Sequence, residues 1–153
     1  LKTTLVNISG NMRCGLPPAG REGWRIAIAP LEKDGQPLRK ISVRECAIAT
    51  SGDLWQFQVI DGVRRSHILD PRTGMGVPGP LSATVIASRA TDADALATAA
   101  CILDIDAAKK LVKELRVPES EGEAPGSFEL LVARENEQGE VSVDETDGFP
   151  GST

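Results

Sequence analysis

Residues 81–103 read LSATVIASRATDADALATAACIL, and two periodicities meet inside them. Leu81 to Ser88 is an apolar, β-branched run of strand length, whereas from Ala90 onward small residues dominate, and alanine is the strongest helix former. A strand therefore runs into a helix capped by Thr91 or Asp92 and ending near Leu103. The alanines favour close packing of that helix against a sheet or a ligand. Asp104 or Asp106 then caps a second helix, AAKKLVKELR, on which Leu111, Val112 and Leu115 form an apolar stripe with the lysines turned to water. Pro118 stops it.

Upstream, the sequence is punctuated into strands. Thr3 to Ser9 and Trp24 to Ala29 are β-branched and apolar, separated by the Gly/Pro-rich CGLPPAGREG segment, and are expected as neighbours in one sheet. Ile41 to Val43 follows the KDGQP turn, and Cys46 to Thr50 ends at Ser51-Gly52. Trp55 to Ile60 and Val63 to Ile68 flank Asp61-Gly62, a strong hairpin signal. DPRTGMGVPGP after it reads as a polar loop. Downstream, SEGEAPGS is a connection, and Phe128 to Ala133 with Glu140 to Val143 read as a hairpin around Gln138-Gly139. Strands, then two helices, then strands indicate an α+β fold, a mixed sheet packed against helices, rather than a regular βαβ alternation.

The length of 153 residues, with 41% hydrophobic and 25% charged residues, suits a single domain with an ordinary core and argues against wholesale disorder. No run approaches the ~18 apolar residues of a membrane-spanning helix. The opening LKTTLVNISG alternates like a strand and lacks the charged and apolar regions of a signal peptide, so a fragment is expected. Net charge is 17 − 22 = −5, which argues against nucleic acid as a partner. The charge is divided: residues 117–153 carry ten acids and only Arg134, for −9, and residues 1–116 carry 16 bases and 12 acids, for +4. The body can receive an anion, and the acidic hairpin and tail from about residue 127 read as a solvated surface. Cys14, Cys46 and Cys101 form no metal-binding cluster, and Cys46 and Cys101 are expected as buried small hydrophobes.

Four segments could carry chemistry. His67, the sole histidine, sits where a strand enters the rigid turn of Asp70-Pro71-Arg72-Thr73-Gly74, and imidazole is the natural general base near neutral pH. On residue type alone a lone histidine is more often structural than catalytic, and Asp70 reads as a turn former. Asp94 and Thr98, four apart on the alanine-rich helix, present a carboxylate and a hydroxyl on one face, a pair suited to a hard cation such as Mg²⁺. Equally, Asp94 could serve the helix dipole in the first turn and Thr98 bond back to a carbonyl. Thr50-Ser51-Gly52-Asp53 ends a strand with hydroxyls and a glycine that lets a ligand come close. Ser9-Gly10-Asn11 follows the first strand, with Gly10 at a tight turn and Asn11 able to adopt a left-handed conformation.

In this order, SGN at 9–11, TSG at 50–52, HILDPRTG at 67–74 and ADALAT at 93–98 resemble the C-terminal half of the ApbE-like family. These are the FAD:protein FMN transferases, also described as flavin-trafficking or thiamine-biosynthesis lipoproteins. The family pattern has Gly-Gly-Asn/Asp, Thr-Ser-Gly, His-Ile-Ile-Asp-Pro-x-Thr-Gly and Ala-Asp-Ala-Leu-Ala-Thr, so Ser9 replaces the usual first glycine. The resemblance implies a T-fold-related domain spanning residues 1–153, the C-terminal part of the family domain. It implies an enzyme that splits the pyrophosphate of FAD with Mg²⁺, passes FMN to a Thr or Ser of an acceptor protein, and releases AMP. Some relatives use water as acceptor. By the same resemblance Asp94 and Thr98 hold Mg²⁺ and His67 takes the acceptor's proton. Thr50, Ser51, Gly52, His67 and the backbone around Ile68 line the flavin nucleotide, and Asp70 braces the histidine loop. The family's N-terminal half, with its Gly-x-x-Ala-Lys-Gly flavin segment, has no counterpart in this sequence. A companion N-terminal chain is one expectation, and a flavin-binding or scaffold domain without turnover is the alternative. The family implies a location at the bacterial cell envelope, anchored through an upstream leader, with the cytoplasm as the alternative.

Overall fold

A computed structural model describes residues 2–115, 128–136 and 138–152. The Pro118 stop and the SEGEAPGS connection lie outside the described residues. Eleven strands and two helices follow one another as β1 (Leu5–Ile8), β2 (Asn11–Cys14), β3 (Trp24–Ile28), β4 (Arg39–Val43), β5 (Cys46–Gly52), β6 (Phe57–Ile60), β7 (Val63–Asp70), β8 (Met75–Pro78), β9 (Leu81–Ala87), α1 (Ala90–Ile102), α2 (Ile105–Glu114), β10 (Glu129–Glu135) and β11 (Val141–Glu145). Six strands form the main sheet in the order β1-β2-β5-β9-β10-β11, β3 pairs with β4, and β6-β7-β8 form a third sheet. Every pairing is antiparallel. The expected arrangement of sheet against helices holds. The expected neighbours β1 and β3 do not pair; β3 instead builds a separate hairpin with β4.

The layers follow from which faces are apolar. All seven residues of β9 are buried, the signature of a strand covered on both faces. On one face Ala47, Ala49, Leu81, Ala83, Val85, Ala87, Leu130 and Val132 meet the helices; on the other, Ile48, Ile86 and Leu131 meet Ile26, Ile28, Ile41 and Val43 of the β3–β4 hairpin. Helix α1 buries Ala93, Leu96, Ala97, Ala100 and Cys101, spaced three and four apart along one face. Alanine against alanine brings its axis close to β5 and β9, as the composition suggested.

Several boundaries differ from the sequence expectations. The N-cap of α1 is Arg89, without a side-chain cap bond. Thr91 and Asp92 lie inside the first turn, where the carboxylate meets the positive helix end. Asp104 caps α2 as one of the two expected candidates, accepting from the Ala107 N–H at 2.8 Å. Leu115 is the exposed C-cap and leaves the apolar stripe to its neighbours. Asn11 is a strand residue; the left-handed turn positions are Ser9 (φ 51°) and Gly10 (φ 93°). Asp61 and Gly62 take the same positive-φ pair in the β6–β7 hairpin, as expected of a two-residue turn. Residues 75–78 form β8 rather than loop. Cys101 is buried, but Cys46 is only half-buried, and Cys14 is the second fully buried thiol.

Candidate active site

The four sequence segments converge. Ser9 and Asn11 at the β1–β2 turn, Thr50, Ser51 and Gly52 at the end of β5, His67, Ile68 and Leu69 of β7, and Asp94, Thr98 and Ile102 of α1 line one cleft of about 440 Å³. Gly52 is required there: a Cβ on it would come within 2.6 Å of the Leu81 carbonyl oxygen and 3.0 Å of Ser82 Cα.

Asp94 lies past the first turn of α1, whose acidic residue is Asp92, so the helix-dipole reading belongs to Asp92. The Asn11 side-chain amide donates to Asp94 Oδ1 at 3.0 Å, which orients the carboxylate toward the cleft. Thr98 Oγ1 stands 2.9 Å from Ser51 Oγ and so ties α1 to the end of β5. The back-bond to a helix carbonyl gives way to this cross-link. Asp94 and Thr98 together offer only hard oxygen donors, which match Mg²⁺ in kind. Among the described residues no three His, Cys, Asp or Glu side chains converge, so a cation here would draw one carboxylate and one hydroxyl from α1. Its other ligands would have to be water or phosphate, the mode Mg²⁺ favours.

His67 is exposed, and its Nδ1 lies 3.1 Å from the Gln56 carbonyl oxygen. A carbonyl oxygen can only accept, so Nδ1 carries a proton in this contact, and in the neutral ring the lone pair is then on Nε2, the tautomer a general base needs. The strand is held from below by the turn. Asp70 accepts from the Arg72 backbone N–H at 2.9 Å and pairs with its guanidinium at 2.7 Å, which holds the Asp70 carboxyl below its ordinary value. Arg72 Nη2 also donates to the Ile102 carbonyl oxygen at 3.4 Å, fastening the histidine turn to the end of α1.

Thr50 and Ile68 both line the cleft, and each also has a polar group bonded within the sheets. Thr50 Oγ1 is 2.8 Å from Thr84 Oγ1, on the face that carries Ile48, away from α1, because side chains alternate along a strand. The Ile68 N–H donates to Ser66 Oγ at 3.0 Å and the Ile68 side chain joins the helix-side core. Ser51 is therefore the hydroxyl of this set that faces the helix.

Three features escaped the sequence reading. Asp53, wholly buried, pairs with Arg64 at 2.6 Å and accepts from the Leu81 N–H at 2.9 Å. Arg134, the lone base of the acidic tail, donates to the carbonyl oxygens of Ala100, Cys101 and Leu103, satisfying the open end of α1. A second groove of about 440 Å³, lined by Phe57, Ile60, Leu69 and Met75, shares His67 with the first. The exposed apolar residues in Phe57–Ile60 were its available signal.

A model of the ApbE family matches residues 1–119. The chain belongs to the ApbE family. The FAD:protein FMN transferase of Treponema pallidum is 38% identical over 124 residues, covering 74% of this chain and 34% of its own length. The enzyme of the same name from Escherichia coli K12 is 37% identical over 92 residues, covering 59% of this chain and 26% of its own. Among solved structures, the ApbE protein of Thermotoga maritima superposes with a TM-score of 0.76 at 31% identity, over 96% of this chain and 43% of that one. The flavin transferase ApbE of Vibrio cholerae, as an H257G mutant, gives 0.70 at 26% identity, over 95% and 42%. The chain thus spans less than half the length of these relatives.

Proposed function

We propose that this chain supplies the phosphoryl-transfer part of an FAD:protein FMN transferase. The convergence of SGN, TSG, the histidine strand and the Asp94/Thr98 pair on one cleft carries this reading, and the names of the relatives support it. An acceptor Thr or Ser hydroxyl attacks the FMN phosphorus of FAD. The His67 Nε2 lone pair takes its proton, a new P–O ester forms, and the pyrophosphate P–O bond breaks with its electron pair leaving on AMP. Water in place of the acceptor would give FMN and AMP. Asp94 and Thr98 would hold Mg²⁺, which when bound neutralises charge on the pyrophosphate oxygens. Asn11 and Ser51 orient these two groups, and the Asp70–Arg72 turn holds the histidine strand against α1. Ser51 and the glycine-open end of β5 receive the nucleotide, and an envelope location goes with the same reading.

The length covered in the relatives favours a second reading, a flavin-binding domain that turns over only with a companion N-terminal part. Incubation with FAD and Mg²⁺, with AMP release followed against an EDTA control, separates the two. Metal-dependent AMP supports the transferase in this chain. FAD retained without AMP supports the binding domain, and neither binding nor AMP refutes both for the chain alone.

A further inference from the structure

Cys14 and Cys46 are directly opposed across the β2–β5 ladder. The Gly15 N–H donates to the Thr4 carbonyl oxygen on the β1 side at 2.8 Å and the Asp53 N–H to the Leu81 carbonyl oxygen on the β9 side at 3.2 Å, so, with backbone groups alternating in direction along each strand, Cys14 and Cys46 turn theirs toward each other. Cys14 with Cys46 is therefore a hydrogen-bonded pair, in which Cα atoms stand about 5.5 Å apart. That separation falls inside the ~4.4–6.8 Å range disulfides require. All three thiols are free. Cys14 is wholly buried against the β3–β4 layer, and Cys46 is partly open to solvent. Cys101 lies on the opposite face of the sheet, buried under α1, its Sγ donating to the Ser51 carbonyl oxygen.

We propose that Cys14 and Cys46 form a redox-modification site, a dithiol that reacts with low-molecular-weight disulfides and closes to a cross-strand disulfide while Cys101 stays reduced. A hydrogen bond from the Cys46 thiol holds Cys14 below the ordinary thiol value, and the same bond holds the proton on Cys46. One proton thus serves two sulfurs, and the nearby Arg13 charge also favours the thiolate on Cys14. Thiolate is the reactive form in exchange.

The steps balance. The shared proton passes along the bond from Cys46 to Cys14, the thiolate so formed at solvent-open Cys46 attacks one sulfur of RSSR, and RS⁻ leaves to become RSH. Cys14 then attacks the Cys46 sulfur of the mixed disulfide and releases the second RSH. One S–H bond, one solvent proton and one RS–SR bond become one Cys14–Cys46 bond and two RSH; the pair is oxidised by two electrons and the small disulfide reduced by two. The bridge would fasten β2 to β5, whose far ends carry Asn11 and Ser51 into the cleft. The site stands independently of the transferase reading.

The test treats the folded chain with oxidised glutathione, quenches with acid, unfolds, alkylates and maps the thiols by mass. Alkylatable thiols are expected to fall from three to one, on Cys101, with a Cys14–Cys46 peptide that dithiothreitol reverses. Cys14→Ser should stop at a stable glutathione adduct on Cys46. Three persisting thiols, a stable adduct on Cys46 in the unsubstituted chain, or a bridge involving Cys101 or a second chain would each overturn the proposal.

Discussion

Asp53→Ala should destabilise the chain more than any single change in the cleft itself. The carboxylate is wholly buried, holds Arg64 Nε at 2.6 Å and the Leu81 N–H at 2.9 Å, and Arg64 in turn reaches the Asp53 carbonyl oxygen at 2.9 Å. Its guanidinium lies 3.9 Å from the Phe57 ring centroid. An exposed ion pair contributes about 0–1 kcal/mol, whereas removing one partner of a buried pair costs about 3–5 kcal/mol. The Arg64 side chain keeps 20% exposure and can recover some hydration, which lowers the cost. The Leu81 N–H stranded in the interior raises it by about 1–3 kcal/mol. The two effects share one carboxylate and do not simply add, so about 3–5 kcal/mol stands as the sum. For a chain of this size that is roughly 6–20 °C in Tm, at about 2–4 °C per kcal/mol. Asp53→Asn keeps one oxygen acceptor and should lose roughly half as much. Gly79 supplies an internal control, because a methyl there would collide with the Asp53 carboxylate. Gly79→Ala should therefore cost much less in the Asp53→Ala background than alone. Thermal unfolding followed by circular dichroism reads all five chains, the wild type, the three single variants and the double variant. A loss under about 1 kcal/mol for Asp53→Ala, or strict additivity with Gly79→Ala, would refute the buried pair as the link between β5, β7 and β9.

Asp94→Ala should abolish Mg²⁺-dependent AMP release, and wild-type release would remove the metal assignment. His67→Ala should lower transfer by about 10²–10⁴-fold while equilibrium FAD binding persists; transfer at the wild-type rate would remove the base. Ser9→Gly should raise stability by about 1 kcal/mol, since Ser9 holds φ at 51° where a Cβ is disfavoured, and an unchanged urea midpoint would count against that strain. Because the Asp70 carboxyl is held below its ordinary 3.8 by Arg72, its contribution is complete above that value and is lost as pH falls through the lowered native one. The stability gap between wild type and Asp70→Asn should be constant above about pH 5 and close below the ordinary carboxylate value; a gap unchanged in acid denies Asp70 this role.

Much of the fold was legible where a local rule was sufficient. Asp61-Gly62 makes its hairpin because both positions take positive φ, and the alanine spacing of α1 buries one face as expected. Strands β2 and β8 were hidden for physical reasons. NMRC has little strand propensity and pairs because the Ser9–Gly10 turn folds it back onto β1. MGVP carries Gly and Pro, which a central strand rejects but an outer strand tolerates; β8 lies at one end of the three-stranded sheet, with a register shift between Arg65 and Leu69. At the site, Asp94 and Thr98 were legible because four residues make one helical turn. Asn11 and Asp94, 83 residues apart, were not, because only the packing of α1 on the sheet brings them together.

The links that assemble the cleft differ in kind from those that hold the core. The helix and the sheet meet through alanine and aliphatic contacts, which fix their spacing but tolerate small slides. The cleft residues are registered by directional bonds: Asn11 to Asp94, Ser51 to Thr98, Arg72 to the end of α1, and Asp53 to Arg64. Each joins a different pair of segments, and α1 or the residue that follows β5 takes part in all four. Near-attack geometry tolerates roughly 1 Å of error before rate collapses, a tolerance that sliding apolar faces alone cannot guarantee. Substitutions at Asn11, Ser51 or Arg72 should therefore spare the fold and misplace the chemistry, whereas those at Ala97 or Val85 should do the reverse.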